Sequence, residues 1–339
     1  MNQIPINTAM PALRSHYKGL RVMVTGGLGF VGSNVTKRLV EFGADVIVLD
    51  SMQPNTGANA ANLRGFEDKL KLRFIDLRSC DGQPEMFAGV RVVLNFAGHV
   101  SHIESMIDPV ADLEANVHAQ IVLLECCRKY ASDARIVFAS TRQIYGRPFH
   151  FPVDESHPLN PVDVNGINKM AAEAYHSLYH QVYGLQTVSL RLTNTYGPAM
   201  RVMDARQTFL GIWLRRVIED STFEVWGGPQ LRDFTFIDDV VDVFLLAGWC
   251  PTISGRVFNI GGGPAVSLLE LADLLVEVAG TGRYSIREFP PERRRIDIGN
   301  YYADDRAFRE ITGWAPRIAL REGLTRTIDY YRSRLEEYV

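Results

Sequence analysis

The chain of 339 residues has little cysteine: Cys80, Cys126, Cys127 and Cys250, none in CxxC spacing. A disulfide framework or a zinc ribbon needs more cysteine at closer spacing, so neither is expected, and a reducing compartment suits the composition. Long apolar runs are missing too. No stretch reaches 18 apolar residues, and the segment 1–20 lacks the apolar centre of a signal peptide, so neither a spanning helix nor secretion is expected. Nor does one charge dominate. Thirty-six Lys and Arg against 39 Asp and Glu leave a formal charge of −3, which gives no electrostatic case for nucleic acid or an anionic membrane. Hydrophobic residues at 46% and charged residues at 22% are ordinary globular usage, so the expectation is a cytoplasmic globular protein, most often an enzyme.

What the sequence does contain is a rhythm. The first 19 residues are polar, with Pro5 and Pro11, and read as a loosely docked arm. Short β-branched runs then recur at 21–25, 44–50, 72–77, 90–96, 135–140 and 187–192, separated by segments of helical apolar spacing such as 111–130 and 165–183. Apolar strands alternating with helices predict βαβ units. The expected fold is α/β, a Rossmann-type doubly wound parallel sheet with helices on both faces. After Asn194 the rhythm breaks. Residues 196–206 read as a loop, and 196–339 as a smaller C-terminal substrate-binding lobe following a dinucleotide-binding domain at 20–195. The apolar run 256–261 is expected to return to the main sheet.

The glycine cluster Gly26-Gly27-Leu28-Gly29-Phe30-Val31-Gly32 directly follows the first strand and opens the first helix. Gly26 suits a tight turn, Gly29 a close backbone approach to a pyrophosphate, and Gly32 close packing of the helix. The helix N-terminus supplies N–H donors and the positive end of a dipole. Asp50 ends the second strand, eighteen residues past Gly32, near the roughly 20-residue spacing of a ribose-binding acid. Its charge would repel a 2′-phosphate, so NAD is expected rather than NADP. Asp76-Leu77 is read as the end of the third strand, where the acid could accept an adenine amino group or simply be solvated. The small residues of Asn95-Phe96-Ala97-Gly98 would let the adenosine lie flat at the end of the fourth.

Together these segments resemble the extended short-chain dehydrogenase/reductase family, and within it the nucleotide-sugar epimerases and dehydratases, the group of UDP-galactose 4-epimerase. The same resemblance runs through Asn116, Ser140-Thr141, Tyr145-Gly146, Lys169, Arg191 to Pro198, Arg232-Asp233-Phe234, Asp238-Asp239-Val240-Val241, Asn259-Ile260-Gly261, Arg294, Asp297 and Tyr302-Ala303-Asp304. It implies a tightly held NAD that takes a hydride from a hexose C4 hydroxyl to leave a transient 4-keto sugar. Gly26, Gly29, Phe30, Val31, Asp50 and Ser51 are expected around the cofactor, with Asp76, Leu77, Phe96, Ala97, Gly98, Asn116 and Lys169. Thr141, Asn194, Arg232 and Arg294 are expected at a nucleotide-diphosphate sugar. Helices 111–130 and 165–183 form a homodimer bundle in relatives, so a homodimer is expected here, with no nucleic-acid or membrane partner and no metal.

One position departs from the family. Its proton acceptor is a tyrosine four residues before the lysine, and here the segment reads Val164-Asn165-Gly166-Ile167-Asn168-Lys169. An amide cannot take a proton near neutral pH. General-base help is typically worth about 10²–10⁴-fold, so another group must serve or oxidation is slow. The candidates are His99 and His102, then Lys169 and Glu104, with Thr141 as a hydrogen-bonding partner of the reacting hydroxyl. Thr141 is followed by Arg142-Gln143, where 4,6-dehydratases carry an acidic pair, so simple dehydration is disfavoured. Arg142 could instead meet a charged sugar substituent. The leading expectation is therefore an NAD-dependent nucleotide-sugar epimerase acting at C4. The alternatives are a dehydratase or decarboxylase sharing the ketone, and a catalytically silent NAD and sugar-nucleotide binding protein.

Overall fold

The computed structural model describes residues 6–54, 56–204, 208–261 and 263–339, and for residues 6–9, 292 and 293 the backbone alone. The strands are β1 (Arg21–Thr25), β2 (Asp45–Asp50), β3 (Lys71–Phe74), β4 (Val92–Asn95), β5 (Arg135–Thr141), β6 (Gln186–Leu192), β7 (Asn194–Tyr196), β8 (Thr222–Trp226), β9 (Leu231–Arg232), β10 (Phe234–Phe236), β11 (Val257–Ile260), β12 (Val266–Ser267) and β13 (Arg283–Arg287). The helices are α1 (Ile6–Tyr17), α2 (Phe30–Glu41), α3 (Pro84–Phe87), α4 (His102–Ile107), α5 (Pro109–Leu113), α6 (Ala119–Tyr130), α7 (Val164–Tyr183), α8 (Phe209–Ile218), α9 (Ile237–Trp249), α10 (Leu268–Ala279), α11 (Pro291–Arg294), α12 (Arg306–Thr312) and α13 (Leu320–Arg332).

The main sheet runs β11-β6-β5-β4-β1-β2-β3, and every pairing in it is parallel. Parallel strands are buried on both faces, which is why their sequences are near-continuous apolar runs. Alternation assigns the faces. Val22, Val24, Val46 and Val48 pack with Val35 and Leu39 of α2 and Phe244 of α9. Met23, Ile47, Leu49 and Val93 pack on the other side with Leu123 of α6 and Tyr179 of α7. Strand order reverses at β1, which lies between β2 and β4. The loops leaving the C-terminal ends of β1 and β4 therefore part to opposite faces and open a crevice, the usual ligand position in such sheets.

Three expectations need correction. Residues 1–19 are not a loosely docked arm: 6–17 form α1, in which Leu13 and Tyr17 are fully buried. The Tyr17 hydroxyl donates to the Leu245 carbonyl of α9, so one helix face finds a partner that the polar composition hides. Residues 1–5 lie outside the described residues. The third strand stops at Phe74, three residues early, because it is a largely exposed edge strand and the chain turns at Asp76 into a 3₁₀ turn, Leu77–Ser79. Tyr196, read as the start of a loop, instead closes β7, which pairs with β10. The run at 256–261 does rejoin the sheet, as β11 beside β6. Its attachment is reinforced below the surface, where Arg191 of β6 pairs with Glu173 of α7 and donates to the Tyr145 hydroxyl, which donates to Asn259 of β11. Ser140 of β5 adds a hydrogen bond to Glu173. Such a buried ion pair is tolerated because its remaining lone pairs and protons are satisfied. Small two-stranded pairings, β12 with β9 and β13 with β8, build the region after the sheet.

Candidate active site

The crevice holds the glycine turn at one end. Gly26 sits at φ +65, and a Cβ there would lie 2.9 Å from the Ala97 nitrogen at the end of β4. A Cβ on Gly32 would lie 2.3 Å from the Gly26 carbonyl oxygen. Both positions are closed to any side chain, and the turn folds onto the first turn of α2 because of it. Gly29 is the N-cap of α2 and makes no side-chain cap, so the amides of that first turn face the crevice without a capping acceptor. Asp50 stands beside them, accepting from the Leu28 and Met52 amides at 2.9 Å each. Burial raises the Asp50 carboxyl above its ordinary value, and those two amides oppose the rise. This is a fit for a dinucleotide: donors for a pyrophosphate, a carboxylate for a ribose, and no side chain between them. Phe30 and Leu77 are core residues beside this turn, and Ser51 is exposed at its rim. Phe96 packs at a tilt against Phe244, 4.5 Å between centroids. Asp76 is differently placed from the strand-end position expected. Its carboxylate accepts from Gln53 and is gripped by Arg78, chiefly through the Arg78 side chain, which holds it below the ordinary carboxylate value.

The other end of the crevice is built from side chains. Asp112 of α5 is 2% exposed and accepts three amide donors: Asn116 and Asn168 on Oδ1, Asn165 on Oδ2, at 2.8–3.0 Å. Asn116 lies in a π-helical turn, Glu114–His118, that joins α5 to α6. Its Oδ1 is buried without a partner among the described residues, and with Lys169 Nζ it presses on Gly98, where a Cβ would come within 2.4 Å. Asn165 opens α7, one turn before Lys169. Its Nδ2 gives both hydrogens away, to the His99 carbonyl at 2.9 Å and to Asp112. The two acceptors fix the amide's orientation, so Oδ1 is the one group Asn165 can offer a ligand, and it offers acceptance only. Lys169 Nζ is buried, donates to the Ala139 carbonyl at 3.3 Å and sits over the Phe138 ring. Burial pushes its pKa down to about 8, with the Asp112 charge pulling the other way. Thr141, at the end of β5, accepts from the Gln143 amide.

The two histidines part company. His99 Nε2 meets Gln53 Oε1 at 3.0 Å, and its side chain belongs to the Gln53–Asp76 group at the dinucleotide end. His102 opens α4, and its Nδ1 lies 3.1 Å from Asp163 Oδ2. Asp163 is the N-cap of α7, accepting from the Gly166 amide on Oδ1. Gln143 Nε2 donates to the same Asp163 carboxylate. Burial works against the Asp163 charge, but His102, the Gly166 amide and Gln143 outweigh it and hold the carboxyl below its ordinary value.

Beyond Thr141 the crevice is cationic. Arg232 is 5% exposed and donates to the Gly299 carbonyl and to Asp297. Burial, and then the neighbouring Arg142, lower its pKa to about 10. Arg142 donates to Asn194 Oδ1 at 3.3 Å, and its Nε is buried with no partner among the described residues. Asn194 donates in turn to the Asp233 carbonyl. Arg294 is exposed and lines a cleft of about 420 Å³ with Arg147, Phe151, Asp297 and Gly299. Asp297 and Asp233 act on both arginines as counter-charges, and two neighbouring guanidinium groups can still add donors for an anionic ligand.

The residues that sequence reasoning missed are Asp112, Asp163 and Asn168. Asp163 carried a signal, an Asp just before a helical run, which marks an N-cap. Asp112 had only the i, i+4 spacing to Asn116.

A Rossmann-type sheet with a glycine turn after β1, an acid at the end of β2, Thr141 at the end of β5 and Lys169 of α7 bonded to that same strand defines a dinucleotide-dependent enzyme class. Residues 22–261 match the model of the NAD dependent epimerase/dehydratase family. A UDP-glucose 4-epimerase of Mycolicibacterium smegmatis is 30% identical over 319 residues, 93% of this chain and 99% of that protein. The structure of Thermotoga maritima UDP-glucose 4-epimerase with UDP-glucose superimposes with a TM-score of 0.84 at 29% identity, over 93% of this chain and 99% of that one. The Thermus thermophilus UDP-glucose 4-epimerase complex with NAD gives 0.81 at 30% identity, over 93% and 99%. The chain belongs to the NAD-dependent epimerase/dehydratase family. Among the described residues no helix is long and apolar enough to cross a membrane.

Proposed function

We propose that this protein is an NAD-dependent epimerase of nucleotide-diphosphate sugars, acting at C4 through a transient ketone. One observation carries the reading: the glycine turn after β1, Asp50 at the end of β2 and Thr141 at the end of β5 all stand at the C-terminal edge of one parallel sheet, with β4 between β1 and β5, and Lys169 of α7 is bonded to β5 at Ala139, in a chain of this family. The turn amides of α2 would hold the pyrophosphate, Asp50 a ribose, and Lys169 with Asn116 the nicotinamide end. Bound there, NAD supplies a reversible acceptor for two electrons and a hydride. Thr141 would hydrogen-bond the reacting hydroxyl, and Asn165 Oδ1 would accept from it without removing its proton; on this reading Asn165 occupies the family's tyrosine position. Arg232, Arg294 and Asn194 would hold the diphosphate side of the sugar nucleotide. Apolar side chains stand exposed on α4, α5 and α7, among them Ile107, Val110, Leu178 and Val182, and support a homodimer through these helices.

A second reading, decarboxylation of a nucleotide uronic acid through the same ketone, is favoured by the unpartnered Arg142 Nε. The experiment is to denature the purified protein and identify the released cofactor and its redox state. It is then repeated after incubation with UDP-, GDP-, CDP- and dTDP-sugars, with products resolved by chromatography and NMR. A C4 epimer with NAD restored is the expected outcome. Release of CO₂ from a uronic acid alone would select the second reading, and NAD that no sugar ever changes would leave a binding protein.

A further inference from the structure

We propose that His102, oriented by Asp163, is the base that takes the proton of the reacting sugar hydroxyl. The inference rests on the epimerase reading above and supplies the proton acceptor that it lacks. The other basic groups at this end are committed. Asp112 is saturated by three amide donors. Asn165 has only an amide oxygen to offer. Lys169 is a donor to the Ala139 carbonyl. His99 is turned to Gln53.

His102 is arranged differently. A carboxylate accepts and cannot donate, so the contact with Asp163 puts the proton of a neutral imidazole on Nδ1. Gln143 Nε2, 3.3 Å from the same Nδ1, then directs its hydrogen to Asp163. What remains is the lone pair of Nε2, which has no hydrogen-bond partner among the described residues, on a side chain 32% exposed. Its place is also fixed. The Ser105 hydroxyl donates to the His102 carbonyl and accepts from the Asn165 amide nitrogen, so α4 is tied to the first turn of α7. The Gln143 amide nitrogen is bonded to Thr141 Oγ1 while its side chain reaches the His102–Asp163 pair. The loop that begins at Thr141 thus also reaches the imidazole on α4, through Gln143.

The step balances. The C–H bond at the reacting carbon breaks with its electron pair going to the oxidised dinucleotide. The O–H bond breaks with its proton going to His102 Nε2, and C=O forms. The imidazolium keeps its Nδ1–H on Asp163, and both transfers reverse on the other face of the sugar. Of the charged groups on the elements packed against His102, Asp163 is in contact. Asp112 and Lys169 stand beyond the Asn165 amide, Asp108 is the N-cap of α5, Glu104 lies on the same helix, and Arg142 precedes Gln143 on the turn that reaches the imidazole.

The test uses the full-length enzyme with whichever nucleotide sugar the panel shows to be turned over. His102→Gln should lower kcat by roughly 10²–10⁴-fold with KM little changed, and should abolish the acidic limb of the pH–rate profile. Asp163→Asn should lower kcat with KM little changed, because an amide no longer holds the imidazole with its proton on Nδ1. Independently of turnover, ¹⁵N NMR of the neutral imidazole should show the Nδ1–H form in the wild type and a mixture of the two tautomers in Asp163→Asn. A wild type that turns over sugar while His102→Gln keeps its kcat and its acidic limb overturns the proposal alone. A wild type that changes no sugar and no cofactor overturns the epimerase reading and this base with it.

Discussion

The two ends of the crevice are made of different material. The dinucleotide end is backbone: amides of a turn, two glycines that admit no Cβ and one carboxylate taking two N–H groups. The reacting end is side chains: a buried aspartate with three asparagines, a lysine under desolvation, and a His–Asp–Gln group. A backbone site is dictated by where glycine must be, and tolerates no variation. A side-chain site can be rewired by exchanging several residues at once, provided every buried polar atom finds a partner.

The sharpest way to break the first end is Gly32→Val. The clash there is with backbone, and overpacking costs about 1–3 kcal/mol, so NAD affinity measured by calorimetric titration should fall by roughly 100-fold at the upper end of that range. Unchanged affinity would mean that the turn is not the binding element. At the second end, Asp112→Ala strands three amide donors, each a buried group whose loss of partner costs about 1–3 kcal/mol. Urea unfolding should register a loss of at least about 3 kcal/mol. Asn165→Tyr sharpens the contrast. If the asparagine were a mere vacancy in the family's chemistry, a phenol would raise turnover. The expected result is no gain in kcat and a stability loss of about 1–3 kcal/mol, because the bonds to His99 and Asp112 go. The smallest effect is electrostatic. Burial lowers the pKa of Lys169 from 10.5 to about 8. Between those values the unfolded chain holds a proton that the folded chain has released, so Lys169 makes stability rise with pH across that window and costs stability below it. Lys169→Met should remove that rise, read as the difference between the two unfolding free energies from pH 8 to 10.5.

The same contrast decides what was legible in the sequence. The limits of β1, the glycine turn, Asp50 and the return of β11 could be read because each is a local pattern or a spacing within one unit. Asp76 misled because an edge strand needs no continuous apolar run, so its end leaves little mark. Asn165 was seen as a departure but not as a member of anything, since its partners lie 53 and 66 residues away. His99 and His102 looked alike for the same reason: one turns to residue 53 and the other to residue 163, and no periodicity carries that information. The arm at 1–19 failed because the partner of Tyr17 is in α9.

The position of β11 has a consequence for how the protein is made. Among the described residues the outer edge of β6 is covered only by β11, and residues 193–256 must be synthesised between them. At roughly 5–20 residues per second that is about 3–13 s during which a nascent chain shows a finished, apolar, unpaired strand edge. Edges of that kind recruit other strands. A ribosome that stalls inside this interval releases a chain with every glycine of the turn in place and an open seam beside β6, a client for chaperones rather than a small dinucleotide-binding protein.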